Sequence, residues 1–177
     1  MQIGPYKLYS IDTSEFALDG GAMFGIIPKP LWEKEVPADD KNRIQMVTRS
    51  LLLVSEKNKI IIDTGNGSKW QEKFKDIYKI DLENLNLERS LGIYGFTPED
   101  ITDVYCTHLH FDHVGGNTKI VNGKLEPVFP NATYWVQTEN WDLANSPSEK
   151  DAGSFMSADW SVLLENNMIH FVDGKES

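Results

Sequence analysis

The feature of this 177-residue chain that most restricts its structure is a dense group of histidines. Three of its four histidines lie within six residues, in the segment THLHFDHVGGN. Residues 103–107 before the first histidine are predicted to form a short strand, so His108 and His110 would continue from its end with both side chains on one side. If the chain then turns, Asp112 and His113 project together toward a second point. This arrangement of imidazole and carboxylate groups predicts a metal site.

The residues between these candidate ligands fit the same interpretation. Leu109 and Phe111 would point away from the metal and into the core, and Gly115 and Gly116 permit a tight backbone path beside the site. Two divalent ions about 3.5–4 Å apart could share a water molecule and lower its pKa toward about 7. The donors suit Zn²⁺, and Mn²⁺, Fe²⁺ or Co²⁺ could also be held.

Composition limits the partners and the compartment. The chain has 17 basic and 27 acidic residues and a formal net charge of −10, so nucleic acid is not an expected partner. No apolar run approaches the about 20 residues of a membrane-spanning helix, and the N-terminus lacks the apolar region of a secretory signal. The one cysteine, Cys106, cannot form an internal disulfide. We therefore expect a cytoplasmic protein with no membrane segment.

Strands and helices alternate along the chain, which predicts an α/β or α+β fold with a sheet covered by helices. Residues 19–43 are rich in glycine and proline and are predicted to be irregular. Strands are predicted at 45–55, 59–63, 103–107, 132–137 and 168–172, with a hairpin around Asn122-Gly123 within 119–129. Helices are predicted at 68–80, from Thr97, at 138–145 and at 158–166.

The motif His-x-His-x-Asp-His, preceded by a strand and followed by Gly-Gly, resembles the metallo-β-lactamase-fold hydrolase superfamily. The segment IIIDTG at 60–65 resembles the first motif of that superfamily. Residues 21–43 are similar to the branch that contains methyl parathion hydrolase and the quorum-quenching lactonases. The resemblance covers most of residues 20–145.

The resemblance implies a role for each residue of the motif. His108 and His110 would bind a first zinc ion, and Asp112 and His113 a second. Asp112 would also be the catalytic residue, which orients the bridging hydroxide or takes its proton. Asp63 would lie beside the metal site as a supporting residue, although a turn residue bonded to neighbouring backbone is an equal alternative. The implied activity is attack of a metal-bound hydroxide on an ester, a lactone or a phosphoester.

Aromatic residues of the long irregular segment supply candidates for the substrate pocket. Phe24 and Trp32 could line a pocket for an apolar small molecule, as the resemblance to lactonases implies, or could pack over the sheet. Cys106 could face the metal or be a buried small hydrophobe. Trp135, on a predicted strand, is expected in the core together with Trp141 and Trp160.

The second half of the superfamily's motifs has no counterpart here. After His113 the only histidine is His170, which lies in a predicted strand and lacks a ligand motif around it. We therefore expect residues 1–177 to be the N-terminal half of one αβ/βα sandwich, either a fragment of a longer protein or a truncated variant. Such a half would expose an apolar sheet face, which favours a homodimer, and would have little activity alone.

Two other functions stay open. A flavodiiron-like oxidoreductase uses the same fold, but it has a glutamate at the position of His110 and adds a flavin domain, and both differ from this sequence. A truncated, non-catalytic metal-binding module is the other alternative.

Overall fold

The computed structural model describes residues 1–173 and shows a mixed α/β fold, as the sequence predicts. The strands are β1 (Gln2–Ile3), β2 (Tyr6–Asp19), β3 (Arg43–Val54), β4 (Lys59–Ile62), β5 (Asp103–Tyr105), β6 (Thr118–Val121), β7 (Lys124–Pro127), β8 (Thr133–Gln137) and β9 (Ile169–Val172). The helices are α1 (Gly20–Phe24), α2 (Lys29–Trp32), α3 (Glu72–Tyr78), α4 (Leu87–Ile93), α5 (Phe111–Val114), α6 (Thr138–Asn145) and α7 (Ser161–Glu165).

Seven of the strands form one sheet in the order β1-β2-β3-β4-β5-β8-β9, and β6 and β7 form a separate hairpin. Strands β1 to β4 pair antiparallel, whereas β4, β5, β8 and β9 run parallel. Parallel strands bring their carboxyl ends to one edge of a sheet, which is where open α/β sheets bind ligands. The histidine motif follows β5 at this edge.

The two faces of the sheet differ because successive side chains of a strand point to opposite sides. One face packs beneath helices and contributes Leu52, Ile61, Val104 and Tyr134 to the buried core, together with Leu91 of α4 and Leu163 of α7. The opposite face carries Leu51, Ile62, Tyr105 and Trp135, which are aligned across neighbouring strands. These side chains are only partly covered, and Tyr105 is 40% exposed. An apolar face of this kind is what half of a sandwich would present.

Several predicted elements differ from the observed ones. Residues 19–43 are not wholly irregular, because α1 and α2 form within them. Helix α3 begins four residues later than predicted, and the turn after Thr97 is a 3₁₀ helix. Strand β2 and helix α4 are not predicted at all. Trp135 is wrongly assigned to the core, because it stacks on Tyr105 at the partly covered face with ring centres 5.5 Å apart.

The hairpin around Asn122-Gly123 is confirmed as β6 and β7, and both turn residues have positive φ. The helices of the described chain are all too short or too polar to cross a membrane.

Candidate metal centre

The structure brings the four predicted ligand residues together beyond the end of β5. The ring centre of His108 lies 4.6 Å from that of His110 and 3.8 Å from that of His113. Asp112 Oδ2 lies 3.6 Å from His113 Nε2. The chain turns into α5 at Phe111, which places Asp112 and His113 on the first turn of that helix. Leu109 and Phe111 are buried, as expected for the residues between the ligands.

These four side chains lie close together but do not form a complete metal-binding site. Over residues 1–173, no group of three or more His, Cys, Asp and Glu side chains is placed so that it could hold a metal ion by itself. A metal centre here would need small movements of the rings, further donors, or both.

Asp63 organises the site from the neighbouring strand. It follows β4 with a φ of 57°, a left-handed conformation that Asp and Asn tolerate better than most residues. Its Oδ1 accepts a hydrogen bond from the Thr107 backbone N–H, and its Oδ2 accepts one from the Thr107 hydroxyl, both at 2.8 Å. Oδ2 also lies 2.8 Å from His113 Nδ1. Asp63 therefore contacts two residues of the motif segment, Thr107 and His113, and its role as a supporting residue of a metal site stays a prediction.

These hydrogen bonds determine which ring nitrogen carries the proton in neutral His108 and neutral His113. A carboxylate only accepts, so His113 donates from Nδ1, and in the neutral ring the lone pair of Nε2 is free. Because the Thr107 hydroxyl donates to Asp63, it can only accept from His108 Nδ1, 3.2 Å away. Nε2 of His108 is then also free. Free Nε2 atoms with hydrogen-bonded Nδ1 atoms are the usual state of metal-binding histidines, so the donors fit a divalent cation.

The surroundings of His108 and His113 shift the pKa values of the two rings in opposite directions. Partial burial lowers the pKa of His108, and the neighbouring His113 and His110 lower it further. Burial also tends to lower the pKa of His113, but its hydrogen bond to Asp63 and the charges of Asp112 and Asp63 outweigh burial and raise it.

Three segments distant in sequence support the loop that carries the histidines, and two of them, around Asn140 and Phe155, are not predicted from the sequence. Asn140 of α6 accepts a hydrogen bond from the Leu109 N–H at 2.8 Å. Phe155 pairs with His110 through the backbone and packs its ring 4.7 Å from the imidazole. The Thr64 N–H donates to the His113 carbonyl at 2.7 Å. Thr64 lies within the IIIDTG motif at 60–65, but no local pattern marks Asn140 or Phe155, because their roles depend on long-range contacts.

The remaining candidates lie as follows. Phe24 stacks on the buried Trp32 with ring centres 4.8 Å apart, so the two rings form one packed unit, and a pocket role for them stays a prediction. Cys106 is buried in the core, as a small hydrophobe. His170 is exposed on β9 with its ring 4.4 Å from Trp135.

A mixed sheet with this histidine motif at the carboxyl end of a parallel strand is typical of metallo-β-lactamase-type proteins. Residues 44–173 match the family model of the Metallo-beta-lactamase superfamily, and the chain belongs to that family. The resemblance inferred from the sequence is therefore confirmed.

Individual relatives agree with this assignment. A probable metal-dependent hydrolase from Staphylococcus aureus has 31% sequence identity and a TM-score of 0.84, and the match covers 98% of this chain and 61% of that one. AidC, described as a dizinc quorum-quenching lactonase, has the same fold, with 21% identity, a TM-score of 0.72 and coverage of 100% and 61%. AttM of Agrobacterium fabrum, an N-acyl homoserine lactonase, is 33% identical over 66 residues, which are 37% of this chain and 22% of AttM. The chain thus spans about three fifths of the length of these solved chains.

Proposed function

We propose that this chain belongs to a metal-dependent hydrolase that opens lactones or related esters. The observation that carries the proposal is the position of His108, His110, Asp112 and His113 at one sheet edge, with Asp63 beside them. Support for the substrate class comes from similar proteins that are described as lactonases.

In this proposal His108 and His110 hold a first divalent cation, and Asp112 and His113 hold a second. Zn²⁺ fits imidazole and carboxylate donors, and AidC is described as a dizinc protein. Mn²⁺, Fe²⁺ and Co²⁺ are also compatible with these donors. Bound cations would lower the pKa of a water molecule and stabilise the negative charge that develops on the carbonyl oxygen of the substrate.

The chain's own residues have separate tasks. Asp63 keeps Nε2 of His113 free by accepting the proton of its Nδ1, and keeps Nε2 of His108 free through the Thr107 hydroxyl, which donates to Asp63 and accepts from His108 Nδ1. Asp112 orients the attacking water and accepts its proton. Phe24 and Trp32 line the apolar part of the pocket for a small-molecule substrate.

Three further proposals concern the domain, the cellular compartment and the oligomeric state of the protein. We propose that residues 1–177 form the N-terminal half of one domain and that the protein is cytoplasmic, consistent with its single, buried cysteine. For the 177-residue chain by itself, the partly exposed sheet face with Tyr105 and Trp135 favours a homodimer.

Metal binding by purified protein tests the proposal. We expect the wild-type chain to bind Zn²⁺ in a competition titration, His110→Ala to bind it at least about 10-fold more weakly, and the control His170→Ala to match the wild type. A protein that includes the remaining length of its relatives and binds no zinc, manganese, iron or cobalt, or a His110→Ala variant of unchanged affinity, contradicts the proposal. Metal binding without hydrolysis of an N-acyl homoserine lactone, by a protein that includes the remaining length of its relatives, supports the non-catalytic alternative instead.

A further inference from the structure

A buried lysine lies directly behind the histidine motif. Lys69 belongs to the segment between β4 and α3, and its side chain is only 9% exposed. Its ammonium group donates hydrogen bonds to the carbonyl of Gly115 and, at 3.0 Å, to the carbonyl of Thr118. It also forms an ion pair with Asp159 Oδ1 at 2.9 Å. The three protons of the ammonium group therefore have three acceptors.

Burial makes this ion pair unusual. Asp159 is 2% exposed, and its second oxygen, Oδ2, has no hydrogen-bond partner among the described residues. Burial raises the pKa of Asp159, and the charge and hydrogen bond of Lys69 oppose that effect. A buried charge is costly unless it is paired, and replacing such a pair by apolar groups is often neutral or stabilising. Overall stability is therefore a weak explanation for the pair.

The contacts of Lys69 place it at the end of the helix that carries two candidate ligands. Gly115 caps α5, two residues after His113. The Gly116 N–H donates to the Gly65 carbonyl at 2.9 Å, so the chain near β4 holds one side of this turn. Lys69 holds the carbonyl of Gly115 on the same turn. Asp159 in turn fixes Lys69 from a segment far along the chain.

We infer that Lys69 is a positioning residue of the proposed metal centre. Its ammonium group fixes the turn after α5 and thereby sets where Asp112 and His113 lie relative to His108 and His110. Asp159 supplies the negative charge that keeps the lysine in the interior. This inference rests on the proposed function, because it concerns the geometry of the same four ligands.

Three variants separate positioning from stability. Lys69→Met removes the donor and leaves Asp159 buried without a partner, so its Tm should fall. Lys69→Met combined with Asp159→Leu removes both charges and should recover most of the Tm. Lys75→Met is the matched control, because Lys75 pairs with the exposed Glu72 on α3.

Two measurements are made on each variant of the 177-residue chain: Zn²⁺ affinity by competition titration, and hydrogen exchange of the amides of residues 113–118 without metal. We expect Lys69→Met and the double variant to bind Zn²⁺ about 10- to 100-fold more weakly and to exchange these amides faster, with Lys75→Met unchanged. A double variant with wild-type affinity and wild-type exchange would overturn the inference. If a protein that includes the remaining length of its relatives binds no metal, the proposed function fails, whereas unchanged exchange in the Lys69 variants shows separately that the lysine does not hold the turn.

Discussion

Replacing Asp63 by asparagine removes one charge while keeping the shape of the side chain. Asparagine also tolerates the left-handed backbone of this position, with its φ of 57°, so the change adds little strain. If the amide oxygen takes the place of Oδ1, the bond from the Thr107 N–H survives. The amide nitrogen then replaces Oδ2 and meets two donors, the Thr107 hydroxyl and His113 Nδ1–H.

The cost follows from these contacts. A hydrogen bond to a charged group contributes about 1.5–3 kcal/mol, and the Thr107 hydroxyl can rotate to accept instead of donate. Asp63 is only 13% exposed, so water replaces little of what is lost. We expect Asp63→Asn to lower the free energy of unfolding by about 2–3 kcal/mol. We also expect His113 to move its proton from Nδ1 to Nε2, which blocks the free nitrogen and weakens metal binding about 10- to 100-fold.

Urea unfolding of metal-free protein, followed by tryptophan fluorescence, measures the first effect, and ¹⁵N chemical shifts of the His113 ring measure the second. Asp40→Asn is the control, because Asp40 is exposed. An Asp63→Asn variant within about 0.5 kcal/mol of the wild type, with the proton still on Nδ1, would refute the reasoning.

Three further predictions concern the surroundings of the site. Gly67→Ala should lower the free energy of unfolding by about 2–4 kcal/mol, because the φ of Gly67 is +64° and a Cβ would collide with the Gly115 backbone. Gly123→Ala, which has positive φ but open space around it, should lower it by about 1–2 kcal/mol. Equal losses in urea unfolding would contradict this explanation. Asn140→Ala should speed hydrogen exchange of the Leu109 amide and destabilise by about 1–2 kcal/mol, whereas protection equal to the wild type would show that the bond is not maintained. Burial raises the pKa of the Cys106 thiol to about 12, so a thiol reagent at about pH 8 should modify it in urea but not in the folded chain; rapid labelling of folded protein would count against its burial.

Local sequence patterns predict much of the structure. The alternation of His108 and His110 with buried Leu109 predicts which side chains meet at the sheet edge. The Asn122-Gly123 turn predicts its hairpin, because both residues tolerate the positive φ that such a turn needs. Each of these signals depends on residues close together in the chain.

Strand β2 shows why other elements could not be predicted. A β-bulge lies between Asp12 and Ser14, so the buried side changes from Ile11 and Thr13 to Ser14 and Phe16. The alternation of period two is interrupted, and two of the buried residues are polar. The bulge becomes evident only from the register of pairing with β3.

The residues that support the histidine loop could not be predicted for a related reason. Asn140 reaches Leu109 across 31 residues of sequence, and Lys69 meets Asp159 in the 3₁₀ turn that precedes α7. Single polar residues of these types occur throughout the chain. Only the tertiary structure distinguishes the ones that contact the histidine loop.

The order of these supports along the chain has a consequence for folding during synthesis. The histidines are translated before Asn140, Phe155 and Asp159, which contact their loop or its lysine from later segments. Contacts between distant residues form late because the intervening chain must first be ordered. A ribosome-bound chain that ends before residue 140 therefore carries every candidate ligand but lacks the segments that position them, so loading with a cation should follow completion of the sheet rather than initiate it.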